Sequence, residues 1–452
     1  MRAKDKERLA RRQRMLARER GEPLPDVFAP PSRGRSRPKG ADPDPEPPLP
    51  EPPDPAPRAE AGETGRTARL RPLSPLLRRR RRRRRLMLLA LLLAVLVGLA
   101  AVTGALRSAV ALATDAADSA YLYLHRGSGW PASTGIDSPL RIEELAGGFV
   151  EMDSRDVAVY SAYGSQIRTI QPGYARPALA VGNTRFVLYD RAGTSLRVES
   201  RTRTLHTMTT SEAILLCALS ANGTVAVVTE SDRYVAQLQV LDPTSFEPLY
   251  TWKMTQEDGI PLAVAFAPDN RRFAVGTVAA RDGQLASSVC LTGISGQEEP
   301  LLYTAESGSM LVRLHWLSGS RLLAVFDTYL ALLDGRTGAE LARCDYGGAE
   351  LLGVSVQDGT AALLLSTHNG SHLILLDSDL NQVADTEAGQ AESVTCTGTA
   401  VYLIDNNTVI CYGADGVRRW EKEYDARPQQ ILSAAQPLLF TAGRVEVLEA
   451  PG

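Results

Sequence analysis

Two histidines four residues apart, His368 and His372, are the most closely spaced imidazoles in this 452-residue chain and could contribute to a metal site. Zinc takes three or four protein ligands, so this pair alone would not complete a site. The residues between the histidines include Asn and Gly, which favour a turn over a helix. We therefore predict a turn between two strands and no metal site.

Short acidic runs at Asp377–Asp379 and Asp405–Asn407 could offer oxygen ligands to calcium. Neither run has the glycine and the distal glutamate of a calcium loop, so we interpret both as turns that end strands. No nucleophile elbow, phosphate-binding loop or dinucleotide-binding motif occurs in a plausible context, since Gly293–Gly296 lies between two strand-like runs. The sequence therefore predicts no catalytic residue, no cofactor and no enzymatic activity.

The cysteines follow neither a zinc pattern nor a redox pattern, because no C-x-x-C spacing occurs. Most of them lie within apolar runs, which is typical of buried thiols that pack as small hydrophobes. On the first and third strands of one repeat, Cys396 and Cys411 would be about 9–10 Å apart, too far for a disulfide. The odd count leaves at least one cysteine unpaired or bonded to another chain. We expect mostly reduced and buried thiols among the five cysteines: Cys217, Cys290, Cys344, Cys396 and Cys411.

The elements that position these residues are β-strands. From about residue 139 the chain alternates short β-branched and apolar runs with Gly, Asn and Asp turns, and no amphipathic helix follows residue 125. The runs repeat in groups of four at intervals of roughly 40 residues, as in β-propellers. The clearest repeats span these ranges: 213–256, 260–307, 310–347, 350–389 and 392–425.

We therefore predict an all-β fold, a β-propeller over residues 139–450, with eight blades and seven as the alternative. Residues 429–449 supply only three strands. An N-terminal strand near Leu140–Leu145 should complete this last blade by pairing with Val445–Leu448, which would close the ring.

Two segments resemble the repeats of PQQ-type propellers, which read A-x-D-x-x-T-G-x-x-x-W. In Tyr329–Arg343 the Asp, Thr and Gly of the motif match, but Ala342 stands in place of the Trp, and Thr408–Trp420 matches at Asp, Gly and Trp. The turns Ser220–Gly223 and Ala267–Asn270 resemble those of WD-type propellers.

The Tyr- and Asp-containing run 185–210 and the strands after it are similar to an uncharacterised family of bacterial single-span membrane proteins with a domain of unknown function. This resemblance covers about residues 80–345. It implies a membrane topology and a propeller ectodomain, and it implies no activity.

A membrane anchor is predicted before the propeller. Eight arginines, Arg78–Arg85, precede Leu86–Leu106, which is 21 residues long and uncharged. About 20 apolar residues cross the hydrocarbon core, and basic flanks stay cytoplasmic. We expect an uncleaved signal-anchor, with a cleaved signal peptide as the alternative, and a C-terminal part outside the cell membrane. The Arg cluster would contact the anionic inner leaflet.

The segments around the anchor differ in composition. Residues 1–77 are basic and rich in proline, which predicts a disordered cytoplasmic tail. Residues 78–106 hold the Arg cluster and the span, and residues 107–138 are predicted to form a helical stalk, over Ser108–Leu124, and a linker. Residues 1–85 carry 25 basic and 12 acidic side chains, whereas the rest of the chain carries 25 basic and 40 acidic side chains. This acidic ectodomain argues against nucleic acid as its partner.

We expect a binding or scaffold function, with an unidentified protein or cell-envelope component as the partner. The alternatives are a quinoprotein-like enzyme and an envelope sensor that signals through the N-terminal tail. The longest loops are predicted at 231–234, 253–259 and 279–286. Binding would then use Arg233, Tyr234 and Arg281, because aromatic and guanidinium groups are favoured as anchors in interfaces.

Overall fold

The computed structural model describes Met87 and residues 105–281 and 283–451, with side chains from residue 113 onward. The predicted tail and almost all of the predicted span lie outside the described residues. Among the described residues, no helix is both long and apolar enough to cross a bilayer.

The first described element is the helix α1, Ala105–Leu124. Alanine and leucine, which favour helices, occupy half of its 20 positions. The helix predicted over Ser108–Leu124 is confirmed. It ends before two glycines, Gly127 and Gly129, and the second of these has a φ of +89°.

After α1 the chain forms 32 strands in eight four-stranded antiparallel sheets, which confirms an eight-bladed β-propeller. The first strand among the described residues is β1 (Ala132–Ser133). Blade 1 contains β2 (Arg141–Leu145), β3 (Gly148–Met152), β4 (Val157–Ser161) and β5 (Gln166–Ile170). Blade 2 contains β6 (Pro177–Val181), β7 (Arg185–Asp190), β8 (Ser195–Ser200) and β9 (Thr204–Thr209). Blade 3 contains β10 (Ile214–Leu219), β11 (Val225–Thr229), β12 (Ala236–Leu241) and β13 (Pro248–Met254).

The remaining blades follow the same order. Blade 4 contains β14 (Ile260–Phe266), β15 (Arg272–Arg281), β16 (Gln284–Gly293) and β17 (Leu301–Thr304). Blade 5 contains β18 (Leu311–Ser318), β19 (Arg321–Phe326), β20 (Tyr329–Asp334) and β21 (Glu340–Asp345). Blade 6 contains β22 (Glu350–Gln357), β23 (Thr360–Thr367), β24 (Gly370–Leu376) and β25 (Gln382–Glu387). Blade 7 contains β26 (Ser393–Cys396), β27 (Ala400–Asp405), β28 (Thr408–Gly413) and β29 (Arg418–Glu423), and blade 8 contains β30 (Gln430–Leu432), β31 (Leu438–Thr441), β32 (Arg444–Val447) and β1.

The ring closes through β1, which is the outermost strand of blade 8. Ala132 pairs with Val445, and Ser133 pairs with Arg444. Closure by an N-terminal strand against the C-terminal strand is therefore confirmed, but the choice of Leu140–Leu145 was wrong. Residues 141–145 form β2, the innermost strand of blade 1. A two-residue strand such as β1 has no alternation from which it could be recognised, so the propeller begins at Ala132 rather than near residue 139.

The hydrophobic core lies between neighbouring blades. The middle strands are buried along their length, as in β4 (VAVYS) and β11 (VAVVT), because each sheet is covered on both faces by its neighbours. At the seam between blades 1 and 8, the ring of Phe149 packs against Tyr160 and Phe440, each 5.1 Å away between centroids. Such aromatic pairs contribute about 0.5–1.5 kcal/mol each beyond their buried area.

We designate the strands of each blade a to d, from the central channel outward. The a–b and c–d turns then lie on one face of the disc, the ab/cd face. The b–c turns and the connections from strand d to the next blade lie on the opposite face, the bc/da face. Any side chain at a strand end can be assigned to one face in this way.

Candidate functional site

The helix α1 docks on the ab/cd face of blades 1 and 2. Arg201, in the c–d turn of blade 2, is 2% exposed. Its guanidinium donates hydrogen bonds to the carbonyl oxygens of Ala146 (2.5 Å) and Asp115 (3.0 Å) and to Ser119 Oγ (2.8 Å). One buried arginine therefore joins α1 to the turns of two blades.

A second buried arginine supports the same contact. Arg185, the first residue of β7, places Nη2 3.3 Å from Asp115 Oδ2, and its Nη1 donates to the carbonyl oxygen of Pro243 at 3.0 Å. Thr202 Oγ1 donates to Asp118 Oδ1 at 2.7 Å. Asp118 is 4% exposed. The carboxylates of α1 therefore contact both Arg185 and the turn that contains Arg201.

The docked side of α1 has a helical spacing. Asp115, Asp118, Ser119 and Leu122 are separated by three or four residues and therefore share one side of the helix. Leu122 is buried, and its Cδ2 would lie 3.7 Å from a Cβ added to Gly147, whose φ is +81°. The segment was predicted only as a stalk, although the D-x-x-D-S-x-x-L spacing indicates this stripe of contacting side chains.

Electrostatics makes this contact sensitive to the loss of either partner. Burial lowers the pKa of Arg201, and the nearby Asp118 and Asp115 carboxylates oppose that shift. Among the described residues, Asp118 Oδ2, Arg185 Nε and Arg201 Nε have no hydrogen-bond partner. The charges are thus held by mutual attraction in a partly satisfied network, in which a lone remaining charge would be costly.

A cleft of about 640 Å³ opens on the same face between blades 1 and 8. Aromatic side chains of Trp130, Phe149 and Tyr163 line it. Trp130 Nε1 donates to the carbonyl oxygen of Ala162 at 3.1 Å, and the Arg126 guanidinium lies 5.1 Å from the Tyr163 ring. The residues just after α1 thus form part of the cleft wall.

The three residues predicted for binding lie on the opposite, bc/da face. Arg233 and Tyr234 belong to the b–c connection of blade 3, and Arg281 is the last residue of β15 in blade 4. The Lys253 ammonium lies 5.7 Å from the Tyr234 ring, and Arg281 Nη2 donates to the carbonyl oxygen of Glu257 at 3.4 Å. Within the described chain, no hydrogen bond or ring contact joins Tyr234 to Arg281. The structure therefore places the three on neighbouring blades of one face.

The predicted loop lengths were partly wrong. Residues 279–281 and 284–286 lie within a hairpin of two ten-residue strands, β15, which ends at Arg281, and β16, which begins at Gln284. The ladder continues through Ala279–Ala286 to Arg281–Gln284. The connection 294–300, on the ab/cd face, is longer than either 230–235 or 255–259.

The cysteine prediction is confirmed for the thiol state. All five cysteines are free, and only Cys344 is less than fully buried. Cys396 lies on β26 and Cys411 on β28, the first and third strands of blade 7. Burial raises the pKa of Cys290, Cys396 and Cys411 to about 11, which keeps these thiols protonated and unreactive at neutral pH.

The remaining candidate ligands lie in strands and turns. His368 is in the b–c turn of blade 6, while His372 is within β24 with Nδ1 3.3 Å from Asp385 Oδ1. In the described part of the chain, no three His, Cys, Asp or Glu side chains converge as they would around a metal. Asp377 Oδ1 accepts hydrogen bonds from the backbone of Asp379 (2.8 Å) and Asn381 (2.9 Å), which confirms a turn.

The PQQ-like motif also forms a turn in which an Asp side chain accepts hydrogen bonds from the backbone. Asp334 Oδ1 accepts the backbone N–H groups of Arg336 (2.7 Å) and Thr337 (2.9 Å), and these bonds lower the pKa of Asp334. Gly338 follows with a φ of +72°, a conformation that suits glycine. The D-x-x-T-G pattern thus specifies a tight c–d turn and carries no cofactor chemistry by itself.

The structure is similar to several solved structures, at low sequence identity. The computationally designed Ika8 protein shares 15% identity with a TM-score of 0.53, covering 70% of this chain and 99% of its own. The C-terminal WD40 domain of Sif2 shares 10% sequence identity with a TM-score of 0.53, and the match covers 72% of this chain and 99% of that domain. BamB from Moraxella catarrhalis shares 14% sequence identity with a TM-score of 0.46, and the match covers 68% of this chain and 95% of BamB.

At such identities the likenesses to Ika8 and to the Sif2 domain show the fold alone. No curated protein sequence matches this chain. Residues 132–449 match the sequence model described as "Family of unknown function (DUF5711)". The match begins at the first residue of β1 and ends just beyond β32, and it therefore spans the closed ring. Because it covers more than half of the chain, this protein belongs to the DUF5711 family.

Proposed function

We propose that this protein is a non-enzymatic binding or scaffold module, a β-propeller anchored to the cell membrane and displayed on the extracytoplasmic side. The anchor is Leu86–Leu106, and Arg78–Arg85 remains cytoplasmic against the anionic inner leaflet. The partner is a protein or a cell-envelope component.

The docking of α1 is the observation that carries this proposal. The described helix begins at Ala105, where the proposed span ends, and its half-buried Asp115 and buried Asp118 hold the ab/cd face of the propeller. A plain tether would leave the disc free to rotate, whereas a docked helix sets its orientation. The ab/cd face is then turned toward the anchor, and the bc/da face is turned away from it.

The bc/da face is the proposed binding face, and Arg233, Tyr234 and Arg281 are its proposed anchors. All three are exposed on neighbouring blades. Loops that a rigid scaffold holds in place are common sites of recognition. Aromatic and guanidinium groups are also enriched where interfaces concentrate their binding energy.

Membrane topology is tested on intact cells with tags at both termini. External protease should remove the C-terminal tag and leave the N-terminal tag. Protection of the C-terminal tag would refute extracytoplasmic display. A mature chain that begins after the span would establish cleavage instead of anchoring.

Binding is tested by crosslinking the full-length protein in cells and comparing the captured partner between variants. The triple change Arg233→Ala, Tyr234→Ala and Arg281→Ala should weaken capture at least tenfold. A control removes three exposed arginines from the ab/cd face: Arg203, Arg271 and Arg336. Equal loss in both variants, or loss in the control alone, would refute the bc/da face as the binding face.

A further inference from the structure

Four consecutive blades share an irregularity in their innermost strand. In β10, β14, β18 and β22 the pairing with strand b skips one residue near the start of the strand. The innermost strands of blades 1, 2, 7 and 8 pair without this interruption. The bulged residues are Leu215, Leu262, Val312 and Leu352.

The bulges place apolar side chains in contact with solvent. Leu262, Val312 and Leu352 are 36%, 55% and 41% exposed, and Leu215 is half-buried. The two faces of each sheet are covered by the neighbouring blades, so solvent reaches an innermost strand only through the central channel. Each bulge is near the strand start, at the bc/da mouth of that channel. We name these four residues the apolar arc.

The arc continues onto the connections that lead into it. Ile260, the first residue of β14, and Met310, just before β18, are 54% and 41% exposed. A bulge re-aims side chains and occurs frequently beside functional sites. Contiguous exposed apolar side chains mark interaction surfaces, because leaving them in water forgoes about 25 cal/mol per Å².

The charge around the arc is acidic. The connections at this end of blades 3 to 6 hold six carboxylates for which the described residues provide no ion pair: Glu212, Glu230, Asp232, Glu257, Asp258 and Asp327. Basic side chains at this end of blades 3 to 6 without a described ion pair are fewer: Arg233, Lys253, Arg281 and Arg313. An apolar surface with an acidic border complements apolar groups that are flanked by cations.

We infer that the apolar arc is the docking site for a partner-protein segment whose apolar side chains are flanked by lysine or arginine. The apolar side chains would be buried against the arc, and the cations would meet the carboxylates of the connections. This inference rests on the proposed binding function and specifies its partner chemistry. Arg233, Tyr234 and Arg281 border the same mouth on blades 3 and 4.

The test uses the full-length protein in nanodiscs of zwitterionic lipid, with empty nanodiscs as the blank. Fluorescent peptides of three kinds are titrated: one alternates lysine with pairs of leucine, one replaces lysine by glutamate, and one replaces leucine by serine. Only the lysine–leucine peptide should bind, and its affinity should fall as salt rises. Equal binding of the lysine–serine peptide, preference for the glutamate peptide, or binding of none would overturn the inference.

Variants then locate the site. The triple change Leu262→Asn, Val312→Asn and Leu352→Asn should weaken binding of the lysine–leucine peptide at least tenfold. The matched control changes three equally exposed residues on outermost strands, Leu249→Asn, Leu341→Asn and Val383→Asn, and should bind as the wild type does. Equal weakening in both variants would overturn the inference.

Crosslinking provides a second measurement if the arc variant does not fold. A benzophenone-bearing lysine–leucine peptide should attach to wild-type blades 3 to 6 near the arc, and attachment elsewhere would overturn the inference. Failure of every peptide, with a partner still captured in cells, would refute the arc alone. A propeller found on the cytoplasmic side would refute the proposed display and leave the peptide result unaffected.

Discussion

The two faces of this propeller handle buried charge in opposite ways. On the ab/cd face, the buried guanidinium of Arg185 lies 3.3 Å from the half-buried carboxylate of Asp115. Burial lowers the pKa of Arg201, and the carboxylates of Asp118 and Asp115 oppose that shift. Toward the bc/da end of blade 1, Glu151 is 1% exposed, Thr134 is its described hydrogen-bond partner, and no ion pair is described for it. Paired charges hold two elements together, whereas a buried carboxyl without a cation destabilises the fold once it ionises.

The largest expected effect comes from breaking the contact between α1 and the ab/cd face. Arg201→Ala removes the hydrogen bonds of the guanidinium to Ala146, Asp115 and Ser119, which should cost about 3 kcal/mol of docking free energy. Hydrogen exchange over 113–124 should accelerate strongly as α1 detaches. Arg203→Ala, two residues away and exposed, is the control and should change nothing. Unchanged exchange in the Arg201 variant would show that the contacts of Arg201 do not hold the helix.

The buried carboxyl of Glu151 predicts that the stability of the fold depends on pH. Burial raises the pKa of Glu151 to about 7, with Asp153 adding to the shift and the Thr134 hydrogen bond opposing it. Because the folded-state pKa lies above the unfolded value of 4.5, the folded state binds the proton more tightly. The stability contributed by Glu151 is therefore fully present below pH 4.5 and is lost as the pH rises to about 7. The loss amounts to about 3 kcal/mol.

Glu151→Gln tests this dependence by keeping the shape of the neutral acid. The variant should match the wild type near pH 4 and exceed its free energy of unfolding by up to about 3 kcal/mol at pH 8. The exposed Glu230→Gln, on the same face, is the control. A wild type that is more stable than the Glu151 variant at pH 8 would mean that a cation outside the described contacts pairs with Glu151.

A variant with a smaller expected effect distinguishes the contribution of apolar packing to the docking of α1 from that of the polar contacts. Leu122→Ala removes a buried side chain from the docked side of α1, which should weaken docking by about 2 kcal/mol. Leu124→Ala, at a position 77% exposed, should leave docking intact. The same exchange measurement ranks the two against Arg201→Ala. An effect of Leu122 larger than that of Arg201 would mean that apolar packing dominates the contact.

The repeat pattern predicted the propeller well because each blade is built from strands adjacent in sequence. In a four-stranded meander the alternation and the turn residues of about 40 residues encode a complete sheet, as in blade 3 over residues 214–254. Apolar strand positions likewise predicted the buried thiols. The c–d turns were readable for the same local reason, since Asp334 and Asp377 bond the backbone within four residues.

Contacts distant in sequence could not be predicted in this way. The closing strand β1 pairs with a strand more than 300 residues later, and its two residues carry no periodic signal. The arginines that hold α1 lie 70 or more residues beyond its aspartates. The hairpin of β15 and β16 was taken for a loop because glycine and charged residues at its tip resemble a turn cluster.

The sequence by itself determined the all-β class, the blade repeat, the apolar run preceded by arginines and the helical segment after it, because each depends on neighbouring residues. Only the tertiary structure decided which strand closes the ring, which face α1 covers, and that Arg233, Tyr234 and Arg281 share one face. It also decided that Glu151 is buried without a described ion pair. These outcomes depend on which distant surfaces meet when eight blades close, and the desolvation of a charge depends on that meeting.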